Sequence, residues 1–237
     1  MKAGLLDRIK SKGYWRINFQ PRKLRAEKLS LTECRELVEK NALRLRGWNY
    51  PYAPIRQDDQ QGGLPSGEFY EAWIDWWNHI EYWRLYRSHQ FLHYLALRED
   101  WFAENEWARE LAQRILPGQA IGTSGAIHQI TEIFEFLSRL GRNGLYPSGV
   151  SVSLSLENTE GRQLWVDDPQ RMPFFDLKQT GAKRIEMNRE ILSSQFATGG
   201  AEIARSVIIE FFDHFGWDQI SAENIRLQQE QMLGGKL

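Results

Sequence analysis

A single cysteine, Cys34, among 237 residues excludes an intramolecular disulfide and a zinc site built on thiolates. Cys34 lies in SLTECRELVEK, where helical spacing groups it with apolar neighbours, so it is expected as a core thiol. No apolar run approaches the roughly 18 residues that a membrane-crossing helix needs. The short apolar stretch of MKAGLLDRIKSKG is interrupted by charge and is no signal segment. The chain therefore reads as cytoplasmic, with no membrane partner. An excess of one charge is lacking too: 30 Lys plus Arg stand against 31 Asp plus Glu, a net charge of -1. No overall field draws such a chain to nucleic acid or acidic lipid, though a local basic patch is compatible with it. HExxH, GxSxG, GxGxxG and the P-loop spacing are all absent. On these grounds no metal, no cofactor and no catalytic residue are expected.

What is abundant is aromatic: 10 Trp, 12 Phe and 8 Tyr. Hydrophobic residues at 42% and charged residues at 26% are globular values, so the chain should bury a proper core.

Period-2 alternation marks YWRINFQ (residues 14–20) as a strand with Trp15, Ile17 and Phe19 on one face. Ser30 and Glu33 have capping-box spacing and open a helix. RLRGWNYPYAP reads as a short strand broken at Gly47, and RQDDQQGGLPSG as an exposed loop. FYEAWIDWW and HIEYWRLYRSHQFLHYLALR form an aromatic meander, with a two-residue turn expected at Ser88-His89. In that register Arg84 faces His93 and Trp83 faces Tyr94, while His79 and His93 point to opposite faces. Helices are expected over WFAENEWARELAQRIL and AIHQITEIFEFLSRLGR. VSVSLSLE alternates strictly and should form a hairpin with RQLWVDD; KRIEMNREI is a further strand. SQFATGGAEIARSVIIEFFDHFGW reads as a helix weakened at Gly199-Gly200, and SAENIRLQQEQML as a polar, exposed helix. The fold class that follows is α+β, a mostly antiparallel, aromatic-rich sheet packed against helices. GQAIGTSG is the one linker-like stretch, dividing an N-terminal half (1–117) from a C-terminal half (118–237) or lying within one continuous domain.

Three groups of residues could carry function. Trp76 and Trp77 are adjacent, and in a strand they must face opposite sides, placing aromatic surface on both faces of the sheet. Arg84 and His93, flanked by Tyr82 and Tyr86, could hold an anion or a base, with Asp75 and Glu81 completing a polar constellation. Ordinary pairing and stacking of Arg84 is the bland account of the same residues. Arg22, Lys23 and Arg25, with Lys28, and then Arg44 and Arg46 beside Trp48, could form a nucleic-acid face. A solvated loop explains them equally simply. GQAIGTSG precedes a helix but lacks a phosphate-loop spacing.

Through RLRGWNYP and EAWIDWWNHIEYWRLYRSHQFLHYLALRED the sequence resembles an uncharacterised group of bacterial proteins. Some of that group carry a Schlafen/AlbA-type nucleic-acid-binding domain elsewhere in the chain. The resemblance spans residues 14–140; it implies a bacterial cytosolic setting in regulation or defence and transfers no catalytic residue. Together these features lead to the expectation of a non-catalytic binding, sensor or accessory module. Its aromatic sheet would engage a ligand, a protein partner or a second copy of the chain through Trp76, Trp77, Arg84, His93, Tyr82 and Tyr86. A nucleic-acid-binding protein is the alternative, and an enzyme with an unrecognised site the third reading.

Overall fold

In Val150–Glu157 the residues Val150, Val152, Leu154 and Leu156 are all buried, so the alternation written in the sequence becomes one apolar sheet face. The same happens in Tyr14–Pro21 with Trp15, Ile17 and Phe19. In the computed structural model, which describes residues 2–77, 79–104, 118–168 and 171–235, these segments are neighbours.

The chain begins with α1 (Leu5–Lys10), β1 (Tyr14–Pro21) and α2 (Leu31–Asn41). A small hairpin, β2 (Leu43–Arg44) and β3 (Asn49–Tyr50), follows. The meander is β4 (Gln61–Ser66), β5 (Phe69–Trp76), β6 (His79–Tyr86) and β7 (Phe91–Ala96). After a 3-10 turn at Arg98–Glu104 come β8 (Ala120–Gly122), α3 (Thr123–Arg142), β9 (Val150–Glu157) and β10 (Gln163–Trp165). β11 (Arg184–Ile191), a second 3-10 turn (Ser193–Thr198), α4 (Gly200–Asp213) and α5 (Ala222–Leu233) complete it.

Seven strands form one antiparallel sheet in the order β11-β9-β1-β7-β6-β5-β4. Strands from both sides of residue 117 thus share a sheet, with β9 hydrogen-bonded along β1. One face carries the large core, where α2, α3 and α4 bury Cys34, Val38, Ile130, Phe134, Val207 and Phe211 against Trp15, Ile17, Trp83, Phe91, Leu154 and Met187. Each fully buried side chain of this size contributes roughly 1.5–3 kcal/mol. The other face is partly covered by α1, whose Leu5 and Ile9 pack on Trp73, Ile80, Tyr82 and Trp101. The expected α+β class is the observed one. Among the described residues no helix is long and apolar enough to cross a membrane.

Several local expectations are corrected. The turn after β6 has three residues, Arg87 to His89, with the Tyr86 N–H bonded to the Gln90 carbonyl, the His89 N–H to the Tyr86 carbonyl and His89 at φ 71°. Trp83 therefore pairs with His93 and Arg84 with Leu92, one residue from the expected register, and a slip of one exchanges the faces. Half of RQDDQQGGLPSG is the edge strand β4, which tolerates Pro65 because it is an edge. Its Gly62 and Gly63 make room for the Trp73 ring and the Tyr70 hydroxyl. RQLWVDD forms no hairpin with β9: at Asn158 (φ 59°) the chain leaves the sheet, and β10 pairs in parallel with β8. The segment before α4 is a 3-10 turn, parted from the helix by Gly199 at φ 92°. The polar helix α5 is half buried through Ile225, Gln228, Gln229 and Met232. Most of the helix expected over WFAENEWARELAQRIL, residues 105–116, lies outside the described residues, and its start is the 3-10 turn Arg98–Glu104.

Candidate functional site

The β2–β3 hairpin closes on Gly47, whose φ of 91° lets the chain reverse tightly. That reversal turns Arg46 and Trp48 toward the helix-covered face of the sheet. The Arg46 Nη2 donates to Gln129 Oε1 at 2.9 Å and to Glu132 Oε2, both on α3. The Trp48 ring lies 4.8 Å from the His79 ring, and Tyr50 packs edge-on against Phe136.

Opposite them, β6 and β7 bring His79, Glu81 and His93 onto one face. Glu81 is wholly buried; one carboxylate oxygen accepts from the Tyr52 N–H. The other lies 3.4 Å from His79 Nε2 and 3.5 Å from His93 Nε2. His93 Nδ1 in turn lies 3.4 Å from the Tyr50 hydroxyl. Burial pushes the Glu81 carboxyl up, but the two imidazoles outweigh it and hold it at about 2.

Between hairpin, sheet and α3 is a cavity of about 50 Å³, lined by Trp15, Arg46, Trp48, Tyr50, His79, Glu81, Glu99 and Gln129 among others. Glu99 accepts the Gly122 N–H at 2.9 Å; burial raises its carboxyl against the pull of Arg98 and that amide. Arg46 Nε, Gln129 Nε2 and Glu132 Oε1 are buried without a hydrogen-bond partner among the described residues. Buried polar atoms in that state are rare in folded proteins. No Ser, Thr or Cys is among the described lining residues. Among the described residues no group of three His, Cys, Asp or Glu is placed to hold a metal ion.

The amides at the start of α3 are already taken. Asp167 accepts from Ser124 N at 2.7 Å, Gly125 N at 2.9 Å and the Thr123 hydroxyl at 3.2 Å. The anion slot of GQAIGTSG is filled by the chain's own carboxylate.

The residues singled out in the sequence are divided by the sheet. His93 and Glu81 are on the cleft side of the sheet, whereas Arg84, Tyr82, Tyr86 and Asp75 are on the opposite face. Arg84 pairs with Glu71 at 3.0 Å and stacks over Phe69, and the Tyr82 hydroxyl donates to Glu71. Tyr86 meets Phe69 edge-on, and Asp75 is held by Lys2 and Arg8. The Arg84–His93 neighbourhood and the four-residue constellation do not form. His79 and His93, expected on opposite faces, share one. Trp77 leaves the strand at φ 46° and stacks on Trp76 with centroids 4.7 Å apart, instead of facing away from it. The two rings remain 44% and 47% exposed, and Trp76 stands directly across from His79.

The basic residues are dispersed. Arg22 pairs with Glu190, Arg25 with Glu27 and Lys28 with Glu68, while Lys23 and Arg44 are exposed. Arg46 and Trp48 belong to the cleft and present no outward basic face. Sequence reasoning missed Tyr50, Glu99, Gln129 and Glu132. The signal available for Glu132 was a carboxylate set in a helix that is apolar nearly all round, ITEIFEFL.

No family model, curated protein or solved structure matches this chain.

Proposed function

We propose that the protein is a non-catalytic binding module, a sensor or accessory component, that takes a small polar ligand in the cleft between the aromatic sheet and α3. The observation that carries this reading is the set of buried, unpartnered groups on Arg46, Gln129 and Glu132 beside a cavity walled by Trp15, Trp48 and Tyr50. A site built this way, aromatic walls with a few convergent polar groups, is the usual form of a small-ligand pocket. Among the described lining residues there is no Ser, Thr or Cys to serve as an acyl-transfer nucleophile. In this reading the exposed Trp76–Trp77 pair, across from His79, is the surface offered to a protein partner. The resemblance noted in the sequence adds the setting, a bacterial cytosolic system of regulation or defence.

A thermal-shift screen of small polar compounds tests the ligand site. At least one compound should raise the melting temperature of the protein and lose that effect in Gln129→Leu. A screen in which every active compound acts equally on the variant removes the cleft from the reading, as does a screen with no active compound. Retention on nucleic acid that weakens steeply with salt would instead favour the basic residues Arg22, Lys23, Arg25 and Arg44.

A further inference from the structure

Taking the cleft as a ligand site, we propose that its ligand is a compact zwitterion of the α-amino-acid type. Its ammonium end would lie against Glu99 and Glu81, and its carboxylate end against Arg46 Nε and Gln129 Nε2.

Charge and hydrogen-bonding demand together select this chemistry. Arg46 gives Nη2 to Glu132 and Gln129, which leaves Nε as a donor with no protein acceptor among the described residues. Gln129 Nε2 is a second such donor, from the same network. Both call for an oxygen acceptor on the ligand. Two further carboxylates line the cavity, and no described Lys or Arg side chain is hydrogen-bonded or ion-paired to either. Glu81 is balanced by His79 and His93, and Glu99 by the charge of Arg98, which also lines the cavity, and by the Gly122 amide. A lone anion would face those carboxylates. A lone cation would satisfy them and leave the two donors buried and unpaired. A molecule bearing both ends satisfies both sets, and the aromatic residues Trp48 and Trp15 in the lining suit an ammonium.

Size restricts the choice further. At one water position per roughly 10–15 Å³, a cavity of about 50 Å³ accommodates only a handful of heavy atoms. Glycine and alanine are of that scale; a nucleotide or a sugar is not.

The test is calorimetric titration of the protein with glycine and L-alanine, alongside the single-ended probes methylammonium and acetate and the neutral probe acetamide. Either amino acid should bind at least about tenfold tighter than each single-ended probe, the scale of one satisfied charged hydrogen bond. Glu99→Gln, which keeps the shape and removes the charge, should weaken that binding by about tenfold, as should Gln129→Met. Circular dichroism and melting temperature establish that each variant is folded. Binding of methylammonium or acetate as tight as that of the amino acids overturns the zwitterion and leaves the cleft a ligand site. So does amino-acid binding that is indifferent to both variants. Failure of both amino acids, with another compound active in the wider screen, likewise overturns this inference alone; an empty screen removes the cleft reading with it.

Discussion

Asp100 and Arg162 meet as a buried fork, with Nη1 2.8 Å from Oδ1 and Nη2 2.5 Å from Oδ2. Both side chains are almost completely out of water. The same carboxylate accepts the Gly13 and Gly118 amides, and Arg162 Nε donates to the Asn158 carbonyl. One ion pair therefore ties together the entry to β1, the approach to β8 and the exit from β9. Burial pushes the Asp100 carboxyl up, and Arg162 with the two amides more than reverses it. Arg162→Met leaves a buried carboxylate without its counter-ion and should cost about 3–5 kcal/mol in urea unfolding. A loss under 1 kcal/mol would show that the fork is dispensable.

Acid should act through Glu81. Its carboxyl is held at about 2 in the folded protein against an ordinary 4.5. A depressed carboxyl contributes stability that is complete above the unfolded value and is lost as the pH falls through the folded one. The stability difference between the protein and Glu81→Gln, measured by urea unfolding, should therefore shrink as the pH falls from 4.5 to 2. A difference that does not change across that window contradicts the His79–Glu81–His93 arrangement.

Cys34 should be silent. It is on the buried face of α2, and burial pushes its thiol up to about 11. Iodoacetamide at pH 8 should leave the native protein unlabelled and react only after denaturation. Rapid native labelling would mean that α2 opens readily from the sheet.

Gly200 sets the start of α4 against the backbone of α3. A Cβ there would run into the backbone of Phe134 and Glu135, which cannot move aside as a side chain can. Gly200→Ala should thus destabilise by about 1–3 kcal/mol, the usual overpacking cost, despite the higher helix propensity of alanine. An unchanged or raised melting temperature would contradict this helix contact.

The strands were legible wherever one face is apolar and the other polar, as in β1, β9 and β11, because alternation is a local signal. The capping box at Ser30 and Glu33 was equally plain and is present in full. The meander was found, but its register hinged on His89: a histidine at positive φ inside a three-residue loop leaves no local mark that separates it from a two-residue turn. That single residue decided whether Arg84 or Trp83 stands beside His93. The cleft was largely hidden for a different reason. Arg46, Glu81, Glu99 and Gln129 come from a hairpin, a strand, a 3-10 turn and a helix, and no spacing relates them. Trp77 misled because a turn residue with an aromatic side chain reads as one more step of the strand.

Strand β1 stands between β7 and β9, so Phe19 is paired with Phe91 on one side and Val152 on the other. During synthesis, Trp15, Ile17 and Phe19 emerge first and wait for both neighbours. Until β9 leaves the ribosome, the sheet has an open apolar edge through its eventual middle, the kind of surface that aggregates or recruits chaperones. Pairing over such separations makes for slow folding. Nascent chains stalled before residue 150 are accordingly the forms of this protein most in need of protection.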